Sequence, residues 1–247
     1  MRRLFPDPGV LDDPALDDDG LVAAYRLPPG RSVRVNFVAS LDGAITVDGR
    51  SAGLGTPGDK RIFDLLRALA DVVLVGHGTA SAEGYGPITA DSRVGRLRAS
   101  LDRPSTAPIA VVSRRASLDP RSELVTGAVA PTILVTCEAS DAVRRAVLTG
   151  AGVTVLVCGE EDVDLLLALD RLAEQGHEQV LCEGGPRLLH AGLAAGVFDE
   201  LDLSIAPALV GGESRLLDAA LPEPTRLDLR QLLEEDAMLF ARYAVRR

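Results

Sequence analysis

The sequence of 247 residues contains no tryptophan, and aromatic residues make up only 3% of it. Its core must therefore be built from valine, leucine, isoleucine and alanine, which suits buried parallel strands covered by helices. The net charge is −10, whereas a general nucleic-acid-binding protein normally presents a basic face. The composition argues against such a protein. It does not exclude an anionic ligand, because a few arginines and helix N-termini act locally.

Signals for secretion, membrane insertion and metal binding are also lacking. After Arg2 and Arg3 the chain turns to proline and aspartate instead of the apolar run of a secretory leader. No window approaches the ~20 apolar residues of a membrane span, and no cysteine or histidine pair has the spacing of a metal site. We therefore expect a cytoplasmic protein without a metal, in which three cysteines are buried and reduced: Cys137, Cys158 and Cys182.

Acidic residues cluster near the N-terminus, and this segment ends in a proline–glycine turn. Such a composition is typical of a solvated arm that contributes nothing to a core. We predict an acidic N-terminal arm over residues 1–30 and one domain over residues 31–247. The acidic residues of the arm are Asp12, Asp13, Asp17, Asp18 and Asp19.

Short apolar strands alternate with amphipathic helices from residue 31 onwards. This alternation predicts an α/β fold with a mostly parallel sheet and helices on both faces. Two late segments, residues 201–205 and 239–245, alternate with period two and predict a C-terminal antiparallel pair at one edge of the sheet. The other predicted strands are 33–38, 71–75, 109–113, 132–136, 153–157 and 179–182. The predicted helices are 93–101, 141–149, 162–174, one opened by Pro186, and one marked by Ile62, Phe63, Leu65, Leu66 and Leu69.

Loops rich in glycine and polar residues follow several predicted strands, and ligands of such sheets bind beyond the carboxyl ends of the strands. After the strand that contains Asn36, the chain presents a hydroxyl, a carboxylate and a glycine at Ser40, Asp42 and Gly43. This combination is a candidate ligand site. An ordinary Asp-Gly turn explains it equally well.

The loop Gly76-His77-Gly78-Thr79 follows the next apolar strand. Glycines at a strand end allow a phosphate or a flat ring to approach the backbone closely, and the threonine can bond to it. The pattern is not the Rossmann fingerprint, because Ser81 stands where a third glycine is needed. His77 is expected at the rim of the site, not as a base.

Ser113, Arg114 and Arg115 follow the strand 109–113. A hydroxyl beside a guanidinium suits a phosphate monoester, such as the 2′-phosphate of NADPH. Two surface arginines that solvate a strand end would give the same pattern.

The run Glu183-Gly184-Gly185-Pro186 leads from a strand straight into a helix. Backbone N–H groups at such a helix N-terminus can hold a pyrophosphate, and Glu183 would lie beside it, facing a nicotinamide or a substrate. A tight turn alone would need fewer glycines.

Together these loops resemble the reductase domain of riboflavin biosynthesis, which has a dihydrofolate reductase-like fold. The resemblance covers about residues 33–245. It implies an NADPH-dependent homodimer that transfers hydride to C1′ of a pyrimidine ribosylamine phosphate. The matching stretches, in chain order, are VNFVASLDGAI, LRALADVVLVGHGTA, PIAVVSRR and VLCEGGPRLLHAGLAAGVFDELDLSIAPALVGG.

The resemblance also implies roles for individual residues. Asp42 and Glu183 are the candidates for catalytic support. The expected substrate-binding residues are Asn36, Ser40, Gly43 and Glu83. The expected cofactor-binding residues are Gly76, Gly78, Thr79, Ser113, Arg114, Gly159, Gly184, Gly185, Pro186, Arg187 and Leu188.

The sequence departs from the family pattern after the Gly78-Thr79 pair. An acidic Asp-Pro or Asn-Pro segment is usual there, but this chain has Glu83-Gly84-Tyr85-Gly86-Pro87. Glu83 is expected to substitute for the missing carboxylate. Because of this change two alternatives stay open: reduction of dihydrofolate or another pteridine on the same fold, and a non-catalytic nucleotide-binding protein.

Overall fold

The computed structural model describes residues 1–6, 15–212, 214–217 and 219–246. Across these residues the chain forms one sheet of ten strands with eight α-helices. The strands are β1 Arg2–Phe5, β2 Ser32–Ser40, β3 Val72–Gly76, β4 Ile109–Val112, β5 Ile133–Thr136, β6 Thr154–Val157, β7 Gln179–Cys182, β8 Glu200–Ala206, β9 Leu227–Glu235 and β10 Met238–Val245. The helices are α1 Asp18–Tyr25, α2 Pro57–Leu69, α3 His77–Glu83, α4 Arg93–Ser100, α5 Glu123–Thr126, α6 Ala142–Gly150, α7 Leu165–Glu174 and α8 Pro186–Ala194.

The sheet has the order β1-β9-β10-β8-β2-β7-β3-β4-β5-β6. Every neighbouring pair from β8 to β6 is parallel, and the pairs from β8 back to β1 are antiparallel. The predicted mostly parallel sheet is therefore confirmed. So is the predicted pairing of the two late segments, in which Leu239 lies opposite Ile205 and Ala244 opposite Glu200.

The predicted antiparallel edge of the sheet is confirmed, and it contains two strands more than the predicted pair. The missed strand β9 lies beyond β10, and β1 forms the edge. A register shift between Arg242 and Tyr243, where Gln231 and Leu229 are the successive partners, leaves one residue of β9 unpaired. Such a bulge interrupts the alternation of apolar and polar residues from which strands are read.

The predicted N-terminal arm is also wrong for the residues that the structure describes. Strand β1 belongs to the sheet, and Leu21 and Tyr25 of α1 are buried in the core. Asp17 caps α1 by accepting a hydrogen bond from Gly20 N at 2.8 Å, so part of the acidic cluster stabilises a helix start. Two acidic residues of the predicted arm lie outside the described residues: Asp12 and Asp13.

Hydrophobic layers cover both faces of the sheet, as predicted. On one face α2 packs its buried residues Ile62, Leu65 and Leu66 against strands β3 and β4. On the other face α7 and α8 pack against β2, β7 and β3. Each fully buried leucine contributes about 1.5–3 kcal/mol relative to an exposed one. The three cysteines are buried and free, which confirms that prediction: Cys137, Cys158 and Cys182.

The described part of the chain contains no helix that is both long and apolar enough to cross a membrane. Strands β2, β7, β3 and β4 are neighbours and run in the same direction. Their carboxyl ends therefore meet at one edge of the sheet, where the predicted ligand loops converge.

Candidate active site

Two adjoining depressions lie at the carboxyl ends of these strands. We call the first, of about 580 Å³, the inner cavity; Asn36, Phe63 and Glu183 lie in its wall. We call the second, of about 920 Å³, the groove; Gly76 and Arg114 lie in its wall. The inner cavity and the groove share five residues, so they open into each other: Gly78, Thr79, Gly185, Pro186 and Ser214.

The turn between β7 and α8 forms the boundary between the inner cavity and the groove. Its Gly184–Gly185 peptide bond is cis, and Gly184 has a φ of +77°. A Cβ on Gly184 would overlap the ring of Phe37, and one on Gly185 would lie 2.5 Å from Thr79 Oγ1. Close packing therefore requires glycine at both positions. Helix α8 begins immediately afterwards without a side-chain cap, which leaves an N-terminus suited to an anion at the groove.

The segment after β3 is not the loop that the sequence predicted. It is the first turn of α3, with Gly76 as the N-cap residue. Gly76 N donates a hydrogen bond to Gly184 O at 2.6 Å, so Gly76 helps to position the glycine turn. Gly78 and Thr79 lie where the inner cavity meets the groove. His77 lines only the groove and is exposed enough to be a rim residue, as predicted.

The predicted cationic loop after β4 lies along the groove. Arg114 and Arg115 are exposed and line it. Ser113 is buried, and its hydroxyl accepts a hydrogen bond from Ser117 N at 2.9 Å. Ser113 therefore shapes the turn that presents the two guanidinium groups.

Gly159 has a structural task beside the groove. Its φ is +93°, and a Cβ would collide with the backbone oxygen of Asp162. Gly159 itself is not among the residues that line the groove, whereas Asp162 and Val163 are. Glycine is thus required for the turn that brings these two residues to the groove.

Glu183 lies at the floor of the inner cavity as a member of a buried cluster. Arg67 donates two hydrogen bonds of 2.7 Å to its two carboxylate oxygens, and Tyr85 Oη donates to Oε2 at 2.5 Å. The guanidinium of Arg67 lies 4.3 Å from the ring centroid of Phe63 and 4.9 Å from that of Tyr85, within cation–π distance.

The protonation states in this cluster follow from its burial and pairing. Burial favours the neutral form of Arg67 and so lowers its pKa. The charge of Glu183 and the hydrogen bonds to it together have the larger effect, and the pKa of Arg67 is raised above its ordinary value. Burial, followed by the charge of Glu183, raises the pKa of Tyr85 well above its ordinary value. Arg67 is therefore charged and Tyr85 protonated at neutral pH. Both oxygens of Glu183 are occupied, so the carboxylate is an acceptor and a positioning group, not a free acid.

Asp42 takes up a different task from the predicted one. Its carboxylate accepts hydrogen bonds from Ser40 Oγ at 2.5 Å, from Val210 N at 3.1 Å and from Gly211 N at 2.7 Å. The bond from Ser40, followed by those from the two backbone groups, lowers the pKa of Asp42 to about 2. Asp42 thus fixes the loop after β8.

The predicted site residues around Asp42 line neither the inner cavity nor the groove. Neither the inner cavity nor the groove has Ser40, Asp42 or Gly43 in its wall. Gly43 has a φ of +83° and its N–H donates to Ser40 O at 2.9 Å, which is the ordinary Asp-Gly turn. A catalytic role for Asp42 has no support from these contacts. Asn36, by contrast, does line the inner cavity.

Glu83 also lines the inner cavity, but its carboxylate is already engaged. Glu83 Oε1 accepts a hydrogen bond from Ser51 N at 2.8 Å. Ser51 belongs to the loop between β2 and α2, which forms one wall of the cavity. The carboxylate that was predicted to bind the substrate thus lies at the cavity, where it accepts a hydrogen bond from the protein backbone.

Sequence reasoning missed four residues of α2 that line the inner cavity: Asp59, Lys60, Phe63 and Arg67. Burial raises the pKa of Asp59, against a smaller lowering by a hydrogen bond from Ser204. The side chain of Lys60 is 67% exposed. Helical spacing could have revealed Asp59, because it lies four and eight residues before Phe63 and Arg67, on the same face of α2.

Comparisons of the sequence with known proteins find relatives that cover most of the chain. The sequence model of the RibD C-terminal domain family matches residues 31–237. The 2,5-diamino-6-ribosylamino-4(3H)-pyrimidinone 5′-phosphate reductase of Methanothermobacter thermautotrophicus is 31% identical over 87% of this chain and 98% of its own length. The reductase of the same name from Archaeoglobus fulgidus is 30% identical over 73% of this chain and 82% of its own length.

Two solved structures are similar to this chain in fold. A pyrimidine reductase-like protein of Corynebacterium diphtheriae superposes with a TM-score of 0.77 and is 29% identical, covering 88% of this chain and 92% of that chain. The riboflavin biosynthesis reductase of baker's yeast, 17% identical with a TM-score of 0.65, shares the fold over 91% of this chain and 94% of that chain. The chain belongs to the RibD C-terminal domain family of riboflavin-biosynthesis reductases.

Proposed function

We propose that this chain is a cytoplasmic, NADPH-dependent reductase that acts on a pyrimidine ribosylamine 5′-phosphate and delivers hydride to C1′ of its opened ribosyl group. The observation that carries the proposal is the junction of groove and inner cavity at Thr79 and Gly185. Two ligands bound on either side of this junction would be in contact, as a transfer between them requires. The names of the two archaeal relatives supply the substrate class.

The residues along the groove fit a nicotinamide dinucleotide. Apart from its two chain neighbours and the backbone of its own helix, no described atom lies within 4 Å of the position that a Cβ on Gly78 would take, so a ligand can approach this backbone. The uncapped start of α8 at Gly185 suits a pyrophosphate, and the apolar Val163 and Leu165 suit a flat base. When bound, the cofactor supplies the hydride.

Arg114 is the residue that we assign to the 2′-phosphate of NADPH. It is exposed in the wall of the groove, and a guanidinium binds a phosphate monoester through two parallel hydrogen bonds. The preference of the protein for NADPH over NADH would come from this contact between Arg114 and the 2′-phosphate. Arg115 is its neighbour on the same turn and offers the natural comparison.

The inner cavity offers complementary groups to the pyrimidine substrate. Lys60 is the exposed cation that would bind the 5′-phosphate. Phe63 presents an aromatic ring, and Asn36 presents hydrogen-bonding groups for the edge of the pyrimidine. These contacts would hold C1′ of the ribosyl group toward Thr79 and Gly185.

The chemistry also needs an acid to support ring opening of the ribosylamine. Asp59 is suited to that task, because it lines the inner cavity and burial raises its pKa, which favours the protonated form. Glu183 would serve as an acceptor that orients Arg67 and Tyr85. We therefore assign proton donation to Asp59 in place of Asp42.

Reduction of dihydrofolate is the second candidate function. The pyrimidinone named for the archaeal relatives and dihydrofolate both carry a 2-amino-4-oxo ring edge, to which the side-chain amide of Asn36 in the inner cavity could hydrogen-bond. Phe63 would contact either ring. The shared edge makes the pteridine a real competitor, while Lys60 favours the phosphorylated pyrimidine.

We further propose that the protein is a homodimer. Leu201, Leu203 and Ile205 of β8 are half-buried, whereas the intervening Glu200 and Asp202 are buried. Leu201 and Leu203 pack in part against the core on this side of the sheet, and the parts that stay exposed give an apolar surface for a second subunit. Light scattering at micromolar concentration would give twice the mass of one chain, and a monomer would contradict the proposal.

Steady-state oxidation of NADPH tests the proposed activity. The diaminopyrimidinone ribosylamine phosphate and dihydrofolate are offered separately, each with NADPH at saturation. Turnover of the pyrimidine supports the proposal, and turnover of dihydrofolate alone supports the second candidate. NADPH binding without turnover of either substrate would indicate a non-catalytic nucleotide-binding protein.

A further inference from the structure

The segment Glu83-Gly84-Tyr85 joins three separate walls of the inner cavity. It begins at the last residue of α3, and Gly84 turns the chain with a φ of +68°. The side chains before and after this turn reach different parts of the protein. We call these three residues the clasp.

The first contact of the clasp is with the loop between β2 and α2. Glu83 Oε1 accepts a hydrogen bond from the backbone N–H of Ser51 at 2.8 Å. The same loop contributes Thr46, Gly49 and Ala52 to the wall of the inner cavity. A carboxylate that accepts a backbone N–H holds this loop against the end of α3.

The second contact of the clasp is with the floor of the inner cavity. Tyr85 Oη donates to Glu183 Oε2 at 2.5 Å, and its ring centroid lies 4.9 Å from the guanidinium carbon of Arg67. One side chain thus contacts the end of β7 through Glu183 and the helix α2 through Arg67. Removal of the hydroxyl alone would leave the ring contact in place.

We propose that Glu83 and Tyr85 are positioning residues that fix the width of the substrate cavity, and that Glu83 does not bind the substrate. The proposal rests on the reductase activity proposed above. The clasp connects the loop at Ser51 and the floor at Glu183 to the end of helix α3. The first turn of α3, with Gly78 and Thr79, lies at the junction of the inner cavity with the groove. Loss of the clasp would widen the substrate side and leave the cofactor side intact.

Two variants at one position separate positioning by Glu83 from substrate binding by its charge. Glu83→Gln keeps an oxygen that accepts from Ser51 N, and Glu83→Ala removes it. We expect Glu83→Ala to raise KM for the pyrimidine about tenfold, with kcat within about threefold and NADPH affinity unchanged. Glu83→Gln is expected to restore most of the affinity. Equal losses of kcat in both variants would overturn the proposal, because they would show that the negative charge acts on the substrate.

Tyr85→Phe tests the other arm of the clasp. The ring stays over Arg67 while the bond to Glu183 is lost, so we expect KM to rise severalfold with little change in kcat. A fall of about a hundredfold or more in kcat would instead identify Tyr85 as a proton donor. Glu174→Ala is the control, because Glu174 is exposed on α7 and forms an ion pair with the surface residue Arg171.

Amide hydrogen exchange at Ser51 tests the clasp without any turnover. We expect the exchange rate of this amide to rise about tenfold in Glu83→Ala and to stay unchanged in Glu83→Gln and Glu174→Ala. An unchanged rate in Glu83→Ala would overturn the clasp. If the wild-type protein reduces no substrate while the exchange rates change as expected, the proposed function fails and the clasp stands.

Discussion

Replacing Arg67 by methionine tests whether the buried cluster beneath the inner cavity supports the fold. The methionine keeps an apolar stem but removes both 2.7 Å hydrogen bonds to Glu183, whose side chain is only 2% exposed. Removal of one partner from a buried ion pair costs about 3–5 kcal/mol, because the other charge stays buried. Tyr85 still donates to Glu183, so we expect the lower end, about 3 kcal/mol.

Urea unfolding measures this loss, and thermal unfolding provides a second reading. For a domain of this size, about 3 kcal/mol corresponds to a fall in Tm of roughly 6–12 °C. The double variant Arg67→Met with Glu183→Gln removes both charges and should lose less than the single variant. The matched control is Arg171→Met, which breaks an exposed pair of 2.9 Å with Glu174 and should cost less than about 1 kcal/mol. If Arg67→Met destabilises no more than Arg171→Met, the reasoning is refuted.

Three further predictions concern the cofactor, the acid and the buried charges. Arg114→Ala should weaken NADPH about 10- to 100-fold and NADH little, as measured by titration; equal losses for both would remove Arg114 from the 2′-phosphate role. Asp59→Asn should lower kcat by about 10²-fold or more and abolish a fall in rate at high pH, since burial raises the pKa of Asp59 and the protonated form is the acid; an unchanged kcat would contradict this. Burial, the largest cause, raises the pKa of Asp202 to about 7, so the native state keeps a proton that the unfolded chain releases near pH ~4. The contribution of Asp202 to stability should therefore fall as the pH rises from about 4 to about 7, so the stability of Asp202→Asn relative to the wild type should increase over that range in unfolding experiments; parallel curves for the two proteins would argue against it.

The sequence predicted well those features that depend on local periodicity. Period-two alternation located the pair β8 and β10, and helical spacing located the buried face of α2. Phe63 fits the apolar pattern of α2 yet lines the inner cavity. Apolar residues of a site therefore follow the same periodicity as core residues, and the periodicity alone does not distinguish them.

Features that depend on distant partners could not be predicted in the same way. Asp42 accepts from Val210 and Gly211, which lie far along the chain, so its Asp-Gly motif looks the same whether it faces a ligand or a loop. Glu83 likewise depends on the approach of Ser51. Polar residues at a strand end predict where a site lies but not which partner each side chain takes.

The N-terminal segment shows a limit of prediction from composition. Its aspartates favour solvent on composition alone, yet Asp17 is a helix cap and Tyr25 is buried. A cap and a disordered acidic run have the same residue types. The one or two apolar residues that follow the cap decide between them, and their burial depends on the rest of the fold.

Deuteride transfer tests the central claim most directly. The protein is incubated with NADPH carrying deuterium at both positions of C4 of the nicotinamide and with the diaminopyrimidinone ribosylamine phosphate, and the product is analysed by mass spectrometry and NMR. We predict one deuterium in the product, at C1′ of the ribityl chain, because the two ligands would meet where the inner cavity and the groove share Thr79 and Gly185. A product without deuterium, or with deuterium on the pyrimidine ring, would contradict it.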